Sequence, residues 1–301
     1  MDPKSTEGGK DSVCVVNVDN WIEQNKQYFE PPVCNKMMHQ KGQMKVFYVG
    51  GPNQRKDYHI EEGEELFYMV KGDMCLKVVE HGKHRDVIIK EGEIFLLPGR
   101  VAHSPQRSEN TIGLVIERER LKSELDGLRY YVEVEGEKTM ESLFEKWFYC
   151  EDLGTQLVPI IKEFFDSPQC KTGVPKAGAI PVDPPIVLDS EVTLKNPFSL
   201  KKWIDKNRAD INKKGSMLLF GCGCQFQVMV YGQGENSGKH LVAETWIWQI
   251  ENKSTITVDG KEYVLQPNDS MLIPVGKMYS AKRQEGSITL ICFQDPGLKQ
   301  E

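Results

Sequence analysis

Short apolar runs separated by glycine-bearing turns fill the chain from Lys45 to Glu119. MKVFYV ends at Gly50-Gly51, and LFYMV leads through Lys71-Gly72-Asp73 into MCLKVVE. The turn His81-Gly82-Lys83-His84 precedes RDVIIK, and IFLLP and TIGLVIERE follow Gly92. Runs this short, rich in β-branched and aromatic residues and closed by Gly and Asp, predict strands and hairpins. A long series of them predicts a mostly β chain in a closed or double-sheet architecture. A helical rhythm appears in three places. Trp21, Ile22, Asn25, Tyr28 and Phe29 form one mostly apolar face, with Asn20 as cap, Glu23 three residues on, and Pro31-Pro32 as the stop. GTQLVPIIKEFF reads as helix despite Pro159, whereas the aromatic LFEKWFY before it fits strand or helix. Ser199 caps LKKWIDKNRADI, which puts Leu200, Trp203 and Ile204 on its apolar side.

Strand-like runs return after Gly215 as SMLLFG, FQVMVYGQG, ETWIWQIENK, STITVDGKEYVL, SMLIPVG and SITLICFQD. ETWIWQIENKSTITVDGKEY keeps the rhythm of EELFYMVKGDMCLKVVEHGKH, and PNDSMLIPVGKMYSAKR that of KEGEIFLLPGRVAHSPQR. One β module therefore occurs twice, diverged in sequence. Residues 167–198 between the copies are proline-rich and aperiodic, and predict an extended linker wrapping a surface. The expected division is a disordered polar leader over 1–18, a catalytic module over 19–166, that linker, and a second module over 199–301.

Composition narrows the function classes. A net charge of −6 over 301 residues argues against a general nucleic-acid binder, so an anionic substrate would need local positive charge. The start MDPKSTEGGKDS lacks the apolar core of a signal peptide, and no apolar run is long enough to span a membrane. The eight cysteines are scattered and none form a C-x-x-C pair, which suits a reducing compartment such as the cytosol.

The chemistry concentrates between Gly51 and Arg107. His59, Glu65 and His103 are candidate metal ligands, with Glu61 two residues after His59. Two imidazoles and one carboxylate with open positions are the ligand set of non-haem Fe(II) oxygenases. A lone histidine is more often a satisfied turn or core residue; three ligand types in one stretch change that balance. The second copy places Lys239, Thr245 and Tyr279 at the corresponding positions, so it is expected to be a structural partner. Arg55 lies four residues before His59 and Arg107 four after His103, and a guanidinium fork suits a carboxylate. Arg100 fits a scaffold ion pair or the rim of the site equally well. Strand alternation places Val115, Glu117 and Glu119 on one face. Glu61, Glu62 and Glu64 read as solvated carboxylates, His81 and His84 as solvated loop, and His39 and His240 as surface or packing residues. Cys222-Gly223-Cys224 could clip a metal or oxidise, but reads better as a strand edge.

Gly51, His59, Glu65 and Gly72, then Gly92, Pro98 and His103, resemble the two motifs of the cupin superfamily. Three departures stand out: Glu61 replaces the usual second His, Arg100 a Gly, and Arg107 an Asn. PPVCNKMMHQ, GGPNQRKDYHIEEGEELFYMVKGDM, GKHRDVIIKEGEIFLLPGRVAHSPQR, LDGLRYYV and LFEKWFYCEDLGTQL resemble, more narrowly, the animal-type 3-hydroxyanthranilate dioxygenase family of double cupins. The likeness is dense over about residues 28–165 and thinner to about 296. It implies Fe(II), preferred over Zn(II) because the family chemistry uses oxygen, and implies 3-hydroxyanthranilate and O2 as substrates of a monomer. It further implies that His59, Glu65 and His103 hold the metal, that Arg55 and Arg107 hold the substrate carboxylate, and that Glu117 takes a proton from the bound substrate. Asn35 is implied over the mouth of the site. Another cupin dioxygenase or isomerase, or a non-catalytic binding cupin, are the alternatives.

Overall fold

A computed structural model describes residues 13–31, 34–39 and 42–299. It is built from antiparallel sheets with a few helices, as the short apolar runs predict. In the first half, one sheet orders its strands Phe198–Ser199, Glu93–Leu97, Glu65–Lys71, Ile112–Arg118, Met44–Gly50 and Asn35–His39. The facing sheet orders Glu137–Phe148, Asp126–Val134, Tyr58–Ile60, His103–Arg107, Met74–Glu80 and Lys83–Ile89. Phe67, Met69, Leu76, Val78, Phe95 and Val115 fill the space between them.

The strands of the first sheet are apolar at nearly every position, because both faces are covered. Phe67 and Val115 point into the barrel, while Leu66, Tyr48, Leu114 and Ile116 point outward. Those outward side chains meet Phe226, Val228, Trp246 and Leu290 from the inner sheet of the second half, forming the largest core cluster. The second half repeats the arrangement with its own interior of Ile247, Ile256, Met271 and Ile291.

Two short strands cross between the halves. Cys14–Asn17 pairs with Asp269–Leu272, and Phe198–Ser199 pairs with Glu93–Ile94. The first corrects the expected disordered leader over 1–18: residues 14–18 are ordered, because the open edge of the second half's sheet supplies backbone partners for a strand. Residues 1–12 of that leader lie outside the described residues. The first helix also starts earlier than expected. It runs Val18–Asn25, with Asn17 rather than Asn20 as cap; the Asn17 side chain accepts from the Asn20 N–H at 3.2 Å. A 3-10 turn, Lys26–Tyr28, ends it before Pro31, and Pro32 lies outside the described residues.

LFEKWFY is strand as far as Phe148, the helix Leu153–Asp166 contains Pro159, and Ser199 caps Leu200–Lys214 by accepting from the Lys202 N–H. The stretch after Ser167 holds one short helix, Pro168–Thr172, and buries Ile186 and Leu194 farther on. Cys222 and Cys224 lie in a loop before the strand Phe226–Tyr231 instead of at a strand edge, since Gly221 and Gly223 take left-handed conformations there. His81 is an exposed turn residue, as expected, and it also bonds the Ser190 carbonyl and the Thr193 hydroxyl. His84 is not solvated loop: it lies half-buried in the strand Lys83–Ile89 with its ring against Tyr58 and Tyr131. His39 is buried, and His240 stacks on Phe293. Among the described residues no helix is long and apolar enough to cross a membrane.

Candidate metal centre

Strand pairing brings the three sequence-predicted ligands together. His59 and His103 are direct partners in the antiparallel pairing of their strands. Glu65 opens a strand of the facing sheet, so the barrel interior lies between it and the imidazoles. Gly99 lets the two ligand-bearing loops touch: a Cβ there would sit 2.3 Å from the Glu62 carbonyl oxygen. All three ligand side chains are buried.

Each imidazole has one nitrogen committed and one free to ligate. His103 donates its Nδ1–H to the Val101 carbonyl at 3.0 Å, which leaves Nε2 facing Glu65 Oε1 at 2.7 Å. His59 uses Nε2 on Asp126 Oδ2 at 2.7 Å, which leaves Nδ1 at 3.8 Å from the same Glu65 oxygen. That oxygen is buried and hydrogen-bonded to neither imidazole, although both are at ion-pair range. Ligand atoms that converge within 4.8 Å without bonding one another fit a shared metal ion.

The electrostatics agree. Burial opposes ionisation of Glu65, but the adjoining imidazoles hold its carboxyl well below the usual range. Burial likewise works against a charged His59, yet Asp126 and Glu65 lift it to about 9. Glu61 behaves oppositely: burial pushes it well above the carboxylate range, against the pull of Arg120. Glu61 and Glu64 are therefore not the solvated groups the sequence suggests. Glu61 is 2 % exposed beside Arg120 Nη2 at 2.9 Å, and Glu64 accepts from the Phe226 N–H at 2.7 Å. Glu62 pairs with Lys299 at 2.9 Å.

A cavity of about 280 Å³ opens from the ligands and is also lined by Arg55, Arg107, Glu117 and the exposed Asn35. Arg55 is held by Asp57, with Nε at 3.0 Å, and its backbone bonds both ways with Gln106. Arg107 is buried, its Nε has no hydrogen-bond partner, and burial together with Arg55 lowers its pKa to about 10. Two neighbouring guanidiniums, one with a buried unpaired donor, suit this wall to an anion. Glu117 is buried with Oε1 3.1 Å from Arg120 Nη1, whereas Glu119, just past the end of that strand, is exposed. Arg100 does not line this cavity. It has a left-handed φ of 61°, at the position where the cupin motif usually carries Gly, and it lines a second hollow between the halves.

Sequence reasoning missed Asp126 and Arg120. Arg120 donates to both Asp126 oxygens at 2.9 and 2.8 Å, and also reaches Glu61 and Glu117. Asp126-Gly127 carries a turn signature and Arg120 stands in a run of charges, so neither has a local pattern that marks it. The apolar pattern of the helix Leu153–Asp166 predicts an element but not a part of the site, where Leu157, Val158 and Ile161 form the outer wall.

Residues 11–165 match the family model described as 3-hydroxyanthranilic acid dioxygenase. A curated relative from Xenopus tropicalis, named 3-hydroxyanthranilate 3,4-dioxygenase, is 56% identical over 281 residues, covering 93% of this chain and 98% of that one. The Homo sapiens protein of the same name is 51% identical over 285 residues, covering 95% and 98%. In structure, the chain is similar to a salicylate 1,2-dioxygenase from Pseudaminobacter salicylatoxidans, with a TM-score of 0.54 and 13% identity over 97% of this chain and 86% of that one. That likeness speaks for the fold, and the identities speak for more. The chain belongs to the 3-hydroxyanthranilic acid dioxygenase family, as a metal-dependent ring-cleaving dioxygenase on the cupin fold.

Proposed function

We propose that this protein opens the ring of 3-hydroxyanthranilate with dioxygen, giving 2-amino-3-carboxymuconate 6-semialdehyde, which cyclises unaided to quinolinate. The observation that carries the reading is the buried, unpartnered Arg107 Nε in the same cavity as the His59, Glu65 and His103 triad. An ortho-aminophenol carrying a carboxylate needs both halves of that cavity. The relatives' names support the same substrate.

His59 Nδ1, His103 Nε2 and a Glu65 oxygen would hold Fe(II). The ion, when bound, supplies a path for electron density from the aminophenol ring to dioxygen, whose triplet ground state otherwise forbids direct reaction. Arg107 and Arg55 bind the substrate carboxylate and so fix which ring edge faces the ligands. Glu117 takes the hydroxyl proton as the phenol binds, and Arg120 at 3.1 Å holds its carboxylate in place. Phe67 and Val115 enclose the ring, and Leu157 and Ile161 keep water from it.

Residues 19–166 form the catalytic module in this reading, and residues 199–301 a module without a metal site; among the described residues both candidate metal groups fall in the first. The second module covers the outer face of the catalytic sheet, as a partner subunit would, which supports a monomer; the free, scattered cysteines suit the reducing cytosol. The test is anaerobic loading with Fe(II), then 3-hydroxyanthranilate and air. Transient absorbance of the semialdehyde should accompany consumption of one dioxygen per substrate. Full iron occupancy without oxygen uptake would overturn the reading, and gel filtration tests the monomer.

A further inference from the structure

The second hollow lies between the two halves and measures about 300 Å³. From the catalytic half its walls are Glu62, Glu64, Gly99 and Arg100, which belong to the two loops that carry the metal ligands. From the other half come Cys222 and Cys224. No other two of the eight cysteines stand as close in sequence. Gly221 and Gly223 have φ of 91° and 92°, a region L side chains rarely adopt, so the chain turns at each, and Cys222 and Cys224 both line the same hollow. Both are free thiols; Cys222 is exposed and Cys224 half-buried.

The loop is also tied to the back of the metal site. Gln225, next to Cys224, donates from Nε2 to the Glu62 carbonyl at 3.0 Å and accepts from Arg118 Nε at 3.2 Å. The N–H of Phe226 donates to Glu64 at 2.7 Å. Glu62 and Glu64 lie in the connection between His59 and Glu65. A change in the shape of the Cys222–Cys224 loop therefore reaches the ligands through two hydrogen bonds.

We infer that Cys222 and Cys224 are a reversible dithiol–disulfide pair, oxidised by a small-molecule disulfide such as oxidised glutathione, and that closing the bridge loosens the grip on the metal. The exposed Cys222 thiolate attacks one sulfur of glutathione disulfide; a new S–S bond forms, the old one breaks, and one glutathione thiolate leaves. Cys224 then gives up its proton and attacks the Cys222 sulfur, releasing the second glutathione. Two protein thiols are oxidised to one disulfide while glutathione disulfide is reduced to two glutathiones, so electrons and protons balance. Burial raises the Cys224 thiol pKa, which suits it to resolve the mixed disulfide and not to begin the exchange. A disulfide needs the two Cα atoms within about 4.4–6.8 Å, a span that two cysteines separated by one glycine can reach, at the cost of a tighter loop. The tightening pulls on Gln225.

The metal readout rests on the proposed site; the disulfide does not, so the two fail separately. The iron-loaded full chain is equilibrated with glutathione buffers of rising oxidised fraction, alkylated and digested with trypsin. The peptide Gly215–Lys239 holds only these two cysteines, and it should appear two hydrogens lighter and resist alkylation. Excess dithiothreitol should restore it. Cys224→Ser should trap one glutathione on Cys222, whereas Cys222→Ser should leave Cys224 mostly free. Two free thiols in Gly215–Lys239 under oxidised glutathione in excess, or no adduct in Cys224→Ser, would overturn the pair. Iron release to a chelator should be several-fold faster from the bridged protein than from the reduced protein, and unchanged by the same treatment in Cys222→Ser. Equal release rates with the bridge fully formed would overturn the coupling.

Discussion

At the scale of single residues, the proposed function divides the site into groups that would ligate, groups that would hold substrate and groups that would hold the ligands. Arg107 belongs to the second class. Its Nε is buried without a partner, so Arg107→Ala removes charge-assisted hydrogen bonds at about 1.5–3 kcal/mol each. The loss should appear as a raised KM for 3-hydroxyanthranilate with little effect on 2-aminophenol, which lacks the carboxylate. An unchanged preference between the two would remove Arg107 from that role. Asp126 belongs to the third class. Its 2.7 Å bond to His59 Nε2 fixes the ring so that Nδ1 faces Glu65, and Arg120 clamps it from behind. Asp126→Asn should weaken iron binding by roughly 10–100-fold, the usual range for a carboxylate behind a ligating histidine. Chelator competition measures this, and wild-type affinity in the variant would count against it. Glu117→Gln separates binding from chemistry: it should keep iron and substrate while turnover falls about 10²–10⁴-fold. Undiminished turnover would mean that the substrate proton leaves by another route.

At the scale of elements, the strands readable in the sequence are those whose side chains are apolar. Met44–Gly50, Glu65–Lys71, Met74–Glu80, Glu93–Leu97 and Ile112–Arg118 fall where the apolar runs stand. Tyr58–Ile60 and His103–Arg107 do not, because the cavity they line requires His59, His103 and Arg107 on faces that a plain strand would fill with valine. Their residues are legible as chemistry and illegible as strand. Asn17 and Asn20 are both good caps, and only the pairing of Cys14–Asn17 with the distant sheet decides between them. Asp126 and Arg120 act through contacts that no local spacing encodes. The strand end at Thr245 shows a further effect of packing between elements. The preceding Glu244 is buried and accepts from the Met44 N–H at 2.9 Å, and burial raises its carboxyl from 4.5 to about 7. Folded protein thus keeps a proton that the unfolded chain gives up. The stabilisation is complete below about 4.5 and is lost as pH rises through about 7. Glu244→Gln keeps the acceptor and removes the titration. Above pH 7 it should be more stable than wild type by at most about 3 kcal/mol, with the gap closing toward pH 4.5. Urea midpoints at several pH values read the difference; parallel pH profiles would show that Glu244 does not titrate in this window.

At the scale of the whole molecule, the catalytic sheet has no solvent face. Tyr48, Leu66, Leu114 and Ile116 are within 2 % of full burial only because Phe226, Val228 and Trp246 cover them. Each half also lends the other an edge strand, and polar bonds tie the seam. Gln43 bonds the Gln294 carbonyl at 2.8 Å, and Arg118 reaches Gln225. A catalytic half produced alone would expose that apolar sheet face to water, a patch of the kind that drives aggregation. Residues 1–197 by themselves should therefore be insoluble or molten, without retained iron. A chain cut enzymatically in the stretch after Gly173 should behave differently. That stretch has exposed residues and no strand or helix before Phe198, so both fragments should stay associated through the seam and keep iron and activity. The contrast isolates the seam from the covalent link: the same bonds are present in the cut protein and absent in the half. If residues 1–197 alone unfold cooperatively and bind iron as tightly as the full chain, the second module is not what stabilises the site. If the cut chain falls apart at micromolar concentration, the covalent connection contributes more than the packed sheet faces.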